Sequence, residues 1–180
     1  MLFRSYAKIS AGKLRIELLE CDLEALCRDC LSLMTPNAER KGLTLKFSMS
    51  DDVPRQIQTD PTRLRQILLN LLGNACKFTH HGHVHLRVSR QPATDQPPIL
   101  RFTVEDTGIG IAPEVCANLF KAFTQADSST TREYGGTGLG LSISQQLVSL
   151  MGGSLHVQSK LQQGSIFWFT LRSEEHTSEL

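Results

Sequence analysis

The sequence lacks any long hydrophobic run, any block of Lys or Arg, and most large aromatics. One Trp and two Tyr stand among its 180 residues. No stretch approaches the ~20 apolar residues that a membrane-spanning helix needs. The first residues do not show the basic-then-apolar pattern of a secretory signal. A formal net charge of +1 without a basic run excludes the electrostatic footprint of a nucleic-acid-binding domain. Cysteine is scarce too. The five residues are odd in number and scattered, which predicts reduced thiols rather than a disulfide framework. Cys27 and Cys30 form a CxxC, but they fall on one face of an amphipathic run and no second pair follows, so they read as core. His80, His81, His83 and His85 crowd around Gly82 with no carboxylate or Cys beside them, where a polar turn is expected before a metal site.

What is present suits one folded domain. The hydrophobic fraction is 40%, enough for a core. Residues 1–10 read as the end of a helix stopped at Gly12. Leu14, Ile16 and Leu18 alternate with charged residues and predict a strand. Asp22 is placed to cap a helix whose face carries Leu23, Leu26, Cys27, Cys30, Leu31 and Met34, ending at Gly42. Leu43, Leu45 and Phe47 predict a strand, and residues 56–59 a short one. Asp60-Pro61 opens the clearest helix, with Leu64, Ile67, Leu68, Leu71, Leu72, Ala75 and Phe78 on one stripe. Arg63, Gln66, Asn70, Asn74 and Lys77 form the opposite stripe. A hairpin follows over residues 84–104, turning in the Pro-rich stretch 92–98. Pro113 opens a short helix ending near Phe120 and Phe123. Residues 124–137 read as a mobile loop, residues 139–151 as a helix stopped by Gly152-Gly153, and 154–159 and 165–171 as closing strands.

Three pieces point to a nucleotide. Asp106-Thr-Gly108-Ile-Gly110 and Gly135-Gly136-Thr137-Gly138-Leu139-Gly140 are glycine-rich turns that let backbone N–H groups approach an anion. The second opens a helix, whose free N–H groups and dipole favour phosphate. The Asn70, Asn74 and Lys77 stripe offers a hard oxygen ligand and a phosphate counter-charge. Asp106 shares the parity of Leu100, Phe102 and Val104, so its carboxylate is expected on the apolar side, where it needs a donor. An Asp before Gly also forms ordinary turns, but not with the other pieces in this order.

These motifs resemble the catalytic, ATP-binding domain of sensor histidine kinases, in the superfamily that includes gyrase, heat-shock chaperone and mismatch-repair ATPases. The matching residues are Asn70-x-x-x-Asn74-x-x-Lys77, Asp106-x-Gly108-x-Gly110, Phe120-x-x-Phe123, Gly136-x-Gly138-x-Gly140 and Gly164-Ser165-x-Phe167. The run Ser128-Ser-Thr-Thr-Arg132 is similar to that of hybrid kinases. The resemblance implies a two-layer α/β sandwich, a mixed, mostly antiparallel sheet of about five strands with helices on one face. It implies Asp106 as adenine reader with Ser165 assisting through water, Asn74 as Mg²⁺ ligand, Lys77 on phosphate and Arg132 as the lid arginine. It places Gly108, Gly110, Gly136, Thr137, Gly138, Leu139 and Gly140 around the nucleotide. ATP and Mg²⁺ are the implied cofactors. Phosphoryl transfer to a histidine is the implied reaction, with Asn70, Asn74 and Lys77 as its catalytic set. Related ATPases carry Glu at the position of Asn70 as a base for water; an amide cannot take a proton, which favours a kinase.

One expected feature is missing: these kinases carry a phosphoacceptor His on an upstream helical hairpin. Residues 1–13 resemble only the end of that hairpin, and the His residues here lie in the turn cluster, at His156 and at His176. The expected organisation is thus hairpin remnant 1–13, catalytic domain 14–171 and tail 172–180. The tail has no apolar period and matches the translation of a common sequencing adaptor, so it is expected to be non-native and disordered. Expected partners are the protein's own dimerisation and phosphotransfer helices and a response-regulator receiver domain, in a homodimer. Neither nucleic acid nor direct membrane contact is expected. The location implied is the cytoplasmic portion of a membrane-anchored sensor kinase. A regulatory module that binds ATP without transferring phosphate is the alternative, and a metal or redox protein is a weaker one.

Overall fold

The computed structural model describes residues 4, 7–9, 11–92, 98–121 and 139–172. Two long helices carry the first half. In α1 (Leu23–Lys41), the N-cap Asp22 accepts from the Ala25 N–H, and Gly42 closes the end in the left-handed region at φ +66°. In α2 (Pro61–Phe78), Asp60 accepts from the Arg63 N–H, and Pro61 occupies the first turn, where a missing N–H costs nothing. α2 buries Leu64, Ile67, Leu68, Leu71, Leu72, Ala75 and Cys76. Each fully buried Leu or Ile contributes about 1.5–3 kcal/mol. α3 is a single turn (Pro113–Cys116), and α4 spans Gly140–Leu150.

Among the described residues seven strands form two sheets. β1 (Leu19–Asp22) and β3 (Gln56–Thr59) pair antiparallel as a small flap. The main sheet holds β2 (Thr44–Met49), β4 (His83–Gln91), β5 (Ile99–Asp106), β6 (Ser154–Lys160) and β7 (Gly164–Arg172) in the order β2-β4-β5-β7-β6. Only β2 and β4 run parallel. The inward row alternates strictly: Val84, Leu86 and Val88 on β4; Leu100, Phe102 and Val104 on β5; Phe167, Phe169 and Leu171 on β7. Phe102 and Phe169, opposite each other in register, stack at 4.8 Å. Together with the buried faces of α1, α2 and α4, this row makes one core. The opposite face carries Arg87 paired with Glu105, and Trp168 between Arg101 and His156.

Some boundaries differ from the sequence expectation. Leu14 and Ile16 do alternate in burial, but residues 13–18 join no ladder, and the strand begins at Leu19. Leu18 and Leu19 are 55% and 47% exposed, and the core residue here is Cys21. Phe78 is only half-buried, with the Lys77 ammonium 5.3 Å above its ring, and the stripe ends at Cys76 instead. The helix at Pro113 stops after one turn and continues as turns to Phe120; Phe123 lies outside the described residues. Arg172, assigned to the tail, is the last residue of β7 and pairs with Ile99. Residues 173–180 lie outside the description, as does the segment 122–138, which holds all of the expected mobile loop.

Candidate functional site

Asp106 ends β5 on the helix-covered face, as its parity predicts, and is 7% exposed. Its Oδ1 accepts from the Gly108 N–H at 2.9 Å. Burial pushes the carboxyl above its ordinary value, while the backbone N–H groups of Gly108 and Ser165 pull it back. Among the described residues no ion pair reaches it. A buried carboxylate held only by backbone donors retains lone pairs for a ligand donor. Ser165 faces it across the β5–β7 register and is itself buried, its hydroxyl 2.8 Å from that of Ser159. Ser159 also accepts from the Ile111 N–H and donates to the Gly164 carbonyl, which fastens the loop after Asp106 to the β6–β7 turn.

The two described glycines of this loop serve close packing. A Cβ on Gly108 would stand 2.3 Å from the Phe78 carbonyl oxygen, and the neighbouring Ile109 N–H donates to that oxygen at 3.1 Å. Gly110 is left-handed at φ +71°, and a Cβ there would meet the Lys160 carbonyl at 2.1 Å. The sequence suggests that these glycines let backbone N–H groups approach an anion, and their lack of a Cβ has a packing use as well. In the structure they bring the Asp106 loop against α2 on one side and the β6–β7 turn on the other.

Asn70, Asn74 and Lys77 share one half-buried stripe of α2. They differ in what they do. The Asn70 Nδ2 donates to Ser144 Oγ on α4 at 2.8 Å, and its Oδ1 lies 2.4 Å from where a Cβ of Gly140 would be. Asn70 therefore joins α2 to the start of α4, and Gly140 is small because Asn70 is there. The Asn74 side chain makes no hydrogen bond among the described residues, which leaves its carbonyl oxygen available. An amide carbonyl is a hard oxygen that suits Mg²⁺, and the Lys77 ammonium one turn on is a group that suits phosphate. Lys77 has its ammonium lowered from the usual lysine value by burial, a cost that an anion would offset. The N-cap of α4, Leu139, has no polar side chain to cap the first turn, and Gly140 begins the helix. Arg132, Gly136, Thr137 and Gly138 lie outside the described residues.

Sequence reasoning missed four supporting residues. Thr107 Oγ1 accepts from the His83 N–H and donates to the His81 carbonyl, so the His-rich turn is tied to the Asp106 loop. Ser144 and Ser159 are described above. Lys41 reaches the end of α2. Thr107 lies inside the first glycine box, at a position its pattern leaves open, and the other three lie outside the glycine and Asn boxes; Ser144, one turn after Gly140, was the most findable. The CxxC holds no reactive thiol: burial pushes Cys27 up to about 12 and Cys30 up to about 11. Among the described residues no three His, Cys, Asp or Glu side chains are grouped to hold a metal ion, and no helix is long and apolar enough to cross a membrane.

Comparison with known proteins gives this site its context. The family described as histidine kinase-, DNA gyrase B-, and HSP90-like ATPase matches residues 59–175. The chain is 44% identical, over 91% of its length, to sensory/regulatory protein RpfC of Xanthomonas campestris pv. campestris. It is 40% identical over the same share to signal transduction histidine-protein kinase BarA of Escherichia coli. It spans only 23% and 18% of those two proteins. Among solved structures, full-length ShkA in complex with AMPPNP superposes with a TM-score of 0.85 at 38% identity, covering 99% of this chain and 36% of ShkA. The mixed, mostly antiparallel sheet with helices on one face is the architecture of that group. Fold, boxes and relatives agree: the chain belongs to the histidine kinase-, DNA gyrase B- and HSP90-like ATPase family, as a histidine kinase-type ATP-binding domain of the sensor-kinase class.

Proposed function

We propose that this domain binds ATP with Mg²⁺ and delivers the γ-phosphoryl group to a histidine on a dimerisation hairpin of the longer protein. The observation that carries the reading is Asp106: a carboxylate buried on the core face and held, among the described residues, by backbone N–H groups alone. An adenine amino group is a donor of the right kind for it, and Ser165 stands beside it to hold a bridging water. Lys77 supplies a point charge to the phosphates. The first N–H groups of α4 add donors at the same end, joined in this reading by Arg132, Thr137 and the glycines Gly136 and Gly138. Asn74 holds the metal ion, which when bound neutralises phosphate charge as the group transfers.

The protein's share of this chemistry is positioning and charge neutralisation. A neutral imidazole nitrogen attacks the γ-phosphorus, the N–P bond forms as the P–O bond to ADP breaks, and no protein base is required. Asn70 agrees with that economy. Its amide cannot accept a proton and is engaged with Ser144, so it activates no water. The partners in this reading are the chain's own helical hairpin, a second copy of the full protein and a receiver domain, and the location is the cytoplasmic side of a membrane-anchored sensor. Calorimetric titration with Mg-ATP, followed by labelled ATP with and without an added phosphoacceptor hairpin, tests it. Binding, with acid-labile label appearing only on the added hairpin, is the expected result. Binding without any transfer would favour the regulatory module, and no binding would end the proposal.

A further inference from the structure

Lys41 belongs to none of the motifs. It lies in the last turn of α1 beside the Gly42 cap, where a cation ordinarily serves the carbonyl end of its own helix. Its ammonium group crosses to another helix instead. Nζ donates to the carbonyls of Cys76 and Lys77 at 2.8 Å each and of Thr79 at 3.3 Å. A lysine has three donors, and here all three are used on the end of α2.

The end of α2 needs them. Its C-cap, Thr79, is extended at φ −106°, ψ 123°, so no left-handed residue folds the chain back onto the last carbonyls. Thr79 Oγ1 donates to the Ala75 carbonyl at 2.7 Å, and the Ile109 N–H takes the Phe78 carbonyl at 3.1 Å. Every carbonyl from Ala75 to Thr79 thus has a donor. Two of those donors come from elsewhere in the chain: Lys41, and the loop that follows Asp106.

We propose that Lys41 is a positioning residue for nucleotide binding. By clamping the last turn of α2 it fixes the direction of the Asn74–Lys77 stripe and, through the Phe78 carbonyl and Ile109, the seat of the Asp106 loop. The inference rests on reading Asn74, Lys77 and Asp106 as nucleotide contacts. Removing the ammonium takes three donated hydrogen bonds and a counter-charge away from the negative end of the helix.

Lys41→Met keeps the stem and removes the donors; Lys41→Arg keeps charge and donors. Both are titrated with Mg-ATP well below their melting midpoints, beside Asp106→Asn. Lys41→Met should bind about tenfold more weakly per folded molecule and lose hydrogen-exchange protection at the Ile109 amide, and Lys41→Arg should return to within about threefold of the parent. A purely structural lysine would lower the melting midpoint of Lys41→Met and leave the affinity of the folded molecules unchanged. That result, or an Arg variant no better than Met, overturns the proposal. Should Lys41→Met fail to fold, Lys41→Gln replaces it under the same criteria. Asp106→Asn separates the two claims. If it loses affinity while Lys41→Met does not, only the role of Lys41 falls. If Asp106→Asn also binds like the parent, the nucleotide site itself is misassigned.

Discussion

Helices α1 and α2 lie side by side and stop in opposite ways. α1 ends on its own chain: Gly42 turns left-handed, its N–H returns to the Ala38 and Glu39 carbonyls, and the Leu43 N–H also returns to Ala38. α2 ends on other parts of the protein, with Lys41 and Ile109 supplying the outside donors. A locally closed end needs only the residue that follows it. An end closed from outside is coupled to whatever supplies the donors. The locally closed end carries no proposed ligand contact. The coupled one carries Asn74 and Lys77 and touches the Asp106 loop.

Changes at the α2 end, or at the Lys41 that closes it, should act on binding, and changes at the Gly42 cap of α1 on stability. Asp106→Asn should show the largest effect. A hydrogen bond to a charged acceptor is worth about 1.5–3 kcal/mol, so calorimetry should read a loss of about 10- to 150-fold in Mg-ATP affinity. Unchanged affinity would break the comparison outright. Asn74→Ala should come next, with about a tenfold loss in Mg-dependent binding, a charge-assisted contact of ~1.4 kcal/mol. ADP binding in EDTA should be spared, and a loss of equal size there would show that Asn74 is not a metal ligand.

Gly42→Ala should do the reverse. A Cβ there meets nothing within 4 Å, so the cost is conformational, about 1 kcal/mol for a left-handed Ala. The melting midpoint should drop by a few degrees and the ATP affinity of the folded protein should not move. The smallest effect is a pH dependence. Asp106 holds its proton more tightly folded than unfolded, because burial raises its carboxyl above 3.8. Its contribution to stability is therefore full below that value and is lost as pH rises through the raised one. Asn cannot ionise, so Asp106→Asn should melt at or slightly above the parent at neutral pH. The gap should close on acidification, and a gap that widens in acid would contradict the burial of this charge.

The same contrast explains what could be read in advance. Asp22, Gly42, Asp60 and Pro61 act within a few residues of themselves, and the sequence located both long helices by them. The burial of Asp106 followed from parity alone, because a strand repeats every two residues. Where sequence reading failed, the cause was a partner distant in the chain. Leu14 to Leu18 alternate like a strand, yet the ladder with residues 56–59 starts at Leu19. Gly108 and Gly140 were recognised as box glycines, but their neighbours, the Phe78 carbonyl and the Asn70 amide, are set by tertiary packing. Lys41 stands where a cation ordinarily serves its own helix, and no local rule sends it to Cys76 and Thr79.

The chain's one tryptophan sits far from all of this in kind. Trp168 is on the outer face of β7, stacked between the Arg101 guanidinium and the His156 ring, while Ser165 and Phe167 of the same strand point inward. Its emission is thus a built-in gauge of the β5-β7-β6 half of the sheet, read from the side opposite Asp106. Denaturant curves followed at this indole report whether the scaffold survives a substitution. Saturation with nucleotide should leave the signal still, so one sample can tell a broken scaffold from an emptied binding face.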